Sequence, residues 1–130
     1  MLTRILSLLA IGCFLFAFTT ITAQAQNAAE GKKLYISYCS TCHGETAKGD
    51  GMAARSLPVK PADHTNGTIM NQLSDQFLRE IISKGGSAVG KSSFMPSWGS
   101  ALDDKQISDL IAYLRSIADP PYKGGKSVPK

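Results

Sequence analysis

Apolar positions along this chain fall into four groups, the first unlike the rest. Residues 5–18 are almost wholly apolar behind a single positive charge, Arg4, and Ala23-Gln24-Ala25 follows them. That is the layout of a secretory signal with an A-x-A cleavage site, so residues 1–25 are expected to be removed. The run is short for a membrane span, which takes about 20 residues; a retained anchor extending through Ile21 is the alternative. Cys13 lies inside it with apolar residues continuing past, an arrangement that disfavours a lipidated N-terminus.

The other three groups have helical period. Asn27 is placed to cap a helix over 28–40, in which Leu34, Tyr35 and Tyr38 recur near helical spacing. Ser74 caps a second, where Phe77, Leu78, Ile81 and Ile82 line one face and Gly85-Gly86 ends it. A third opens at Leu102-Asp103-Asp104. Its Ile107, Leu110, Ile111 and Leu114 fall at i, i+3, i+4, i+7, its aspartates sit where the helix dipole favours negative charge, and Pro120-Pro121 stops it. A Gly-rich loop over 44–51 and a stretch punctuated by Pro58 and Pro61 separate the first two helices and read as coil wrapped around a ligand. A glycine- and serine-rich loop over 86–99 separates the second from the third. No run alternates with period two, so the expected fold class is all-α. The expected organisation is a signal over 1–25, one domain over 26–119 and a disordered basic tail over 120–130.

The chemistry is concentrated where the first helix ends, at Cys39-Ser40-Thr41-Cys42-His43. In a helical turn the two thiols stand on one face, spaced to form thioether bonds with the two vinyl groups of one porphyrin. The His43 imidazole follows about 100° further round, where it can bind the iron. C-x-x-C-H is the attachment signature of a c-type haem. A zinc site would want four Cys or His ligands, and beyond this motif the chain offers only Cys13 and His64. A redox disulfide pair would want a βαβ setting that the flanks lack. One motif and no internal repeat imply one covalent haem c. Covalent attachment takes place outside the cytoplasm in bacteria, so the leader and the motif agree on a periplasmic location. A domain this small buries a modest share of its surface, and an apolar porphyrin would serve as the centre of its core.

Charge adds little. Lys and Arg number 14 against 10 Asp and Glu, and two haem propionates would cancel much of that excess. The basic residues are scattered without interleaved aromatics, which disfavours nucleic acid. Lys32, Lys33, Lys48, Lys60, Lys84 and Lys91 read equally as a docking ring around an exposed haem edge or as an ordinary solvated surface.

The second axial ligand decides the function class: a protein ligand makes an electron-transfer site, an open position makes a ligand-binding one. Candidates are Met52, Met70, Met95 and His64. Met52 is too near His43 in sequence to reach the opposite haem face comfortably, Met70 borders the second helix where methionines are commonly core, and His64 reads as a surface or propionate-side residue. Met95, in the loop between two helices and followed by Pro96, is favoured.

Taken together, Gly31-Lys32-Lys33-Leu34-Tyr35, the C-x-x-C-H-Gly44 run, Gly49-Asp50-Gly51, Met95-Pro96 with Trp98 behind it, and Asp109-Leu110-Ile111-Ala112-Tyr113-Leu114-Arg115 resemble the landmarks of the class I c-type cytochromes over nearly all of the chain beyond the leader. The resemblance implies a small helical fold around one haem, with the terminal helices crossing near the attachment site. It implies thioethers at Cys39 and Cys42, His43 as proximal ligand and Met95 as distal ligand. It also implies a proline carbonyl on Nδ1 of His43, which would be Pro58 or, second, Pro61. Trp98 lines the haem crevice or donates to a propionate on one reading and fills the core on the other.

The expected function is a periplasmic carrier of single electrons that docks transiently with other redox proteins. It is not expected to be an enzyme: no distal acid–base pair of the peroxidase kind is visible, and no small-molecule substrate is implied. Contact with a membrane would come only through a redox-partner complex. The alternatives are a haem subunit of a membrane or periplasmic dehydrogenase or oxidase complex, and a ligand-binding cytochrome with an open sixth position.

Overall fold

The computed structural model describes residues 25–124. The leader residues 1–24, Cys13 among them, and the end of the tail, 125–130, lie outside the described residues. Helix α1 spans Ala28–Tyr38 and starts where Asn27 accepts the amides of Ala29 (3.0 Å) and Glu30 (3.3 Å). A single turn, α2, follows at Ser40–His43. Helix α3 is one turn at Gly67–Met70, α4 spans Asp75–Lys84 and α5 spans Asp104–Ser116. Tight 3₁₀ turns occupy Met52–Ser56 and Gly86–Val89. Among the described residues there is no strand, only one isolated bridge between Asn66 and Asp119. The fold is all-α.

The capping residues act as the sequence implies. Ser74 Oγ accepts the Phe77 amide at 3.1 Å to start α4, and Gly85 ends it. Asp103 is the cap of α5, not a first-turn residue: its carboxylate takes the Gln106 amide at 2.8 Å while the Gln106 side chain returns to the Asp103 amide at 2.9 Å. α5 stops at Ser116, short of the proline pair, because Ile117 already closes the last turn.

α1 crosses α5 at close range. A Cβ at Gly31 would run into the Asp109 carbonyl and the Tyr113 side chain, so only glycine lets the two backbones approach. Tyr35, Ile107, Leu110 and Ile111 are fully buried at this crossing, each aliphatic contributing roughly 1.5–3 kcal/mol. The Tyr35 and Tyr113 rings pack 5.2 Å apart. Asp109, buried on α5, takes the Asn27 amide at 2.8 Å and Lys105 Nζ at 2.6 Å, which ties the start of α1 to α5.

Arg115 secures the other side. Its guanidinium donates to the carbonyls of Met70 (2.7 Å) and Leu73 and to the Asp75 carboxylate (2.7 and 2.9 Å), joining α5 to α3 and to the start of α4. The Tyr122 ring lies 4.0 Å from that guanidinium, and the Pro120 carbonyl accepts from Asn71 at 2.9 Å. The segment expected to be a disordered tail therefore begins as packed chain. A cation–π contact and a hydrogen bond hold it where composition alone showed only charge and proline.

Candidate haem site

Cys39 stands at a break. α1 ends at Tyr38, Cys39 caps it, and the chain re-enters helix at once, with the amides of Cys42 (3.2 Å) and His43 (2.9 Å) both bonded to the Cys39 carbonyl. The C-x-x-C-H run is thus a fresh turn fastened to the end of α1, and the two cysteines are three residues apart on it, both free and half-buried. Burial, with the neighbouring Cys42, pushes the Cys39 thiol up to about 12. That is the opposite direction from the depressed thiol of a redox C-x-x-C pair.

Loop 44–51 doubles back over this turn. The Gly49 amide bonds the His43 carbonyl (2.8 Å), the Gly51 amide bonds the Cys42 carbonyl (3.1 Å), and the His64 amide bonds the Ala47 carbonyl (2.8 Å). Gly49 holds φ +72°, and a Cβ there would strike the Pro61 carbonyl. Loop and proline stretch are in this way laid against each other beside the motif.

The consequence falls on His43. Its Nδ1 lies 3.1 Å from the carbonyl oxygen of Ala62. A carbonyl only accepts, so Nδ1 carries the proton and Nε2 keeps its lone pair for a metal. This corrects the expectation of a proline carbonyl from Pro58 or Pro61. Pro58 is exposed and lies upstream, whereas the chain passing over Gly49 turns the next carbonyl after Pro61 onto the imidazole. Burial lowers the basicity of His43, and the Ala62 bond offsets part of that. A neutral imidazole is the form that binds iron.

Met95 is half-buried in a loop fastened to the end of α4 rather than free: the Gly86 amide bonds the Met95 carbonyl (2.9 Å), the Trp98 amide bonds Ile82 (2.9 Å) and the Gly99 amide bonds Ser83 (3.0 Å). Trp98 packs edge-on against Tyr38 with ring centroids 5.3 Å apart and joins the margin of the core. Met70 is buried in the core and Met52 is almost fully exposed.

Two contacts near the site escaped the sequence reading, which took His64 for a surface or propionate-side residue and Tyr35 only for one of the helical-period residues of the first helix. The His64 ring is stacked on His43, centroids 4.2 Å apart and planes 21° apart. Its Nδ1 lies 3.1 Å from the Tyr35 hydroxyl. Burial, with His43 alongside, pushes His64 down to about 3, and burial raises Tyr35 far above the usual phenol range. Both are neutral. No local signal pairs a tyrosine in α1 with a histidine in a proline-rich coil. His64 is also excluded as the second axial ligand, since two imidazoles on one iron meet it end-on from opposite sides, not face to face. Nor does its proximity to the motif make a zinc site: among the described residues no three His, Cys, Asp or Glu side chains gather as a metal cluster.

A c-type haem fits what is here. The turn supplies two thiols and an imidazole of the right tautomer, and the chain holds Phe94 and Val59, more than half exposed, beside Met95 and near Ala62 in sequence. Such residues suit an apolar macrocycle. The family comparison agrees: residues 26–114 match the family described as cytochrome c oxidase, cbb3-type, subunit III.

The chain belongs to this family of c-type cytochrome domains.

Its relatives differ widely in length. The chain is 33% identical over 110 residues to the cbb3-type cytochrome c oxidase subunit CcoP of Azospirillum sp. (strain B510), covering 80% of this chain and 31% of that protein. The chain thus spans about a third of the length of the CcoP and FixP relatives it matches. Against cytochrome c6 of Nostoc sp. (strain PCC 7120) it is 29% identical over 118 residues, covering 91% of this chain and 95% of that protein. The solved KustC0563 c-type cytochrome shares the fold, with TM-score 0.55 at 22% identity over 68% of this chain and 96% of that one. The cofactor is haem c and the function is electron transfer. Among the described residues no helix is long and apolar enough to cross a membrane.

Proposed function

We propose that this protein is a periplasmic carrier of single electrons, with one haem c held through Cys39 and Cys42 and ligated by His43 and Met95. The observation that carries this reading is the His43 tautomer: the Ala62 carbonyl claims Nδ1 and leaves Nε2, on the turn that bears both thiols, as the nitrogen for iron. The correspondence over nearly the whole of cytochrome c6, a small cytochrome, supports a free carrier.

The bound haem supplies a one-electron redox couple at iron, and the protein decides how that couple behaves. Cys39 and Cys42 bind covalently, so the cofactor is not lost in either state. The Ala62 bond orients His43 and raises its donor strength. A thioether from Met95 would raise the reduction potential and keep the iron six-coordinate, so little moves on redox change. The loop that carries Met95 is held by backbone hydrogen bonds to Ile82, Ser83 and Gly86, which limits reorganisation further. Partners then need only brief contact at a small interface.

A second reading, a haem subunit of an oxidase or dehydrogenase complex, is favoured by the family match and by the CcoP and FixP relatives. Expression in a haem-maturing host separates the two. A free carrier elutes as a monomer from native extract and shows a methionine-to-iron charge-transfer band when oxidised, a band abolished by Met95→Ala. Elution with a larger membrane complex supports the second reading, and exported protein with no added porphyrin mass defeats both.

A further inference from the structure

The face of His43 is as closely governed as its Nδ1, and by residues with no place in the ligand set. We infer that His64 is a positioning residue for the proximal ligand: stacked on His43 and tethered to Tyr35, it fixes the angle of the axial imidazole plane above the haem. This rests on the proposed haem ligation and adds what sets its orientation.

A hydrogen bond to Ala62 directs the Nδ1 corner of His43 but leaves the ring free to rock about that direction. A second planar ring 4.2 Å away and within 21° of parallel removes that freedom. A branched aliphatic side chain in the same place would fill the volume without imposing a plane. The supporting ring is itself anchored: His64 Nδ1 meets the Tyr35 hydroxyl at 3.1 Å, and Tyr35 is fully buried at the α1–α5 crossing against Tyr113. From Tyr113 through Tyr35 and His64 to His43, each aromatic ring is referred to the next, back to the buried α1–α5 crossing. The His64 amide is pinned in addition to Ala47, a fully buried residue. The Tyr35 hydroxyl can donate to or accept from Nδ1 of His64, so one hydrogen bond joins them whichever ring nitrogen bears the proton.

The plane of an axial imidazole sets which iron d orbital it overlaps, and so the magnetic anisotropy of a low-spin ferric haem. His64→Leu removes ring and tether, His64→Phe keeps a ring without the tether, and Tyr35→Phe removes only the hydroxyl. The assay is electron paramagnetic resonance of the oxidised holoprotein together with the proton NMR shifts of the four haem methyls, with the methionine-to-iron band as the control for intact ligation. The expected result is a changed or broadened highest g value and a reordered methyl pattern in His64→Leu, and smaller changes of the same kind in Tyr35→Phe and His64→Phe, which both keep a ring beside His43 and lose the tether. If His64→Leu does not accumulate, Tyr35→Phe still decides, because the loss of one oxygen leaves the core volume in place. Spectra of His64→Leu and Tyr35→Phe superimposable on wild type, with the control band present, overturn the inference. A wild-type protein lacking that band would instead strike at the Met95 ligation and leave the role of His64 to be judged on the g values alone.

Discussion

Gly49→Ala is the substitution whose cost can be worked most directly. Gly49 holds φ +72°, and a Cβ there would meet the Pro61 carbonyl, a backbone atom that cannot swing aside. The left-handed conformation alone costs an alanine roughly 1–2 kcal/mol, and forcing apart packed backbone adds about 1–3 kcal/mol. Gly90 separates the two contributions: it has φ +70° with nothing within 4 Å of the added Cβ, so Gly90→Ala should show only the first, about 1–2 kcal/mol. For a domain of this size each kcal/mol moves Tm by about 4–8 °C. Thermal unfolding of the holoproteins should therefore place Gly49→Ala below Gly90→Ala by roughly 4–24 °C. A second readout follows from the site. Moving the chain at Pro61 displaces the adjacent Ala62 carbonyl from His43, weakens the donor strength of the imidazole and raises the reduction potential, whereas Gly90→Ala leaves the potential alone. Equal Tm and equal potential in the two variants would refute the claim that Gly49 is what delivers Ala62 to His43.

Three further predictions follow from other contacts. Met95→Ala should lose the charge-transfer band and let the ferrous protein bind carbon monoxide at neutral pH, checked by absorbance; a variant that stays six-coordinate with the band intact would remove Met95 from the ligand set. Burial works against the charged form of Asp109, but the bonds from Lys105 and the Asn27 amide outweigh it and hold the carboxyl below its usual range. The folded value being depressed, Asp109 stabilises above the ordinary carboxylate pKa and loses that contribution as pH falls through its folded value; Asp109→Asn should flatten the acid limb of a Tm–pH profile. Arg115→Lys keeps the charge but cannot span the Met70 and Leu73 carbonyls and Asp75 together, so denaturant unfolding should show a loss of about 2–4 kcal/mol.

What the amino-acid order determined by itself is what depends on neighbours in the chain. Asn27, Ser74 and Gly85 mark helix ends because a cap bonds amides or carbonyls within a few residues, and the apolar faces of α4 and α5 are visible because helical period is local. The C-x-x-C-H turn is legible for the same reason: thiols and imidazole that must meet one macrocycle lie within five consecutive residues. Only the tertiary structure decided which carbonyl claims His43, that a histidine from the proline stretch covers its face, and that the loop carrying Met95 is tied to α4. Each of these joins segments separated by coil, where a slip of one residue brings a different group to the same point; Ala62 rather than Pro61 is such a slip. Loop closure over Gly49 and the packing of Tyr35 into the α1–α5 crossing settle the register, and neither leaves a periodic or compositional trace.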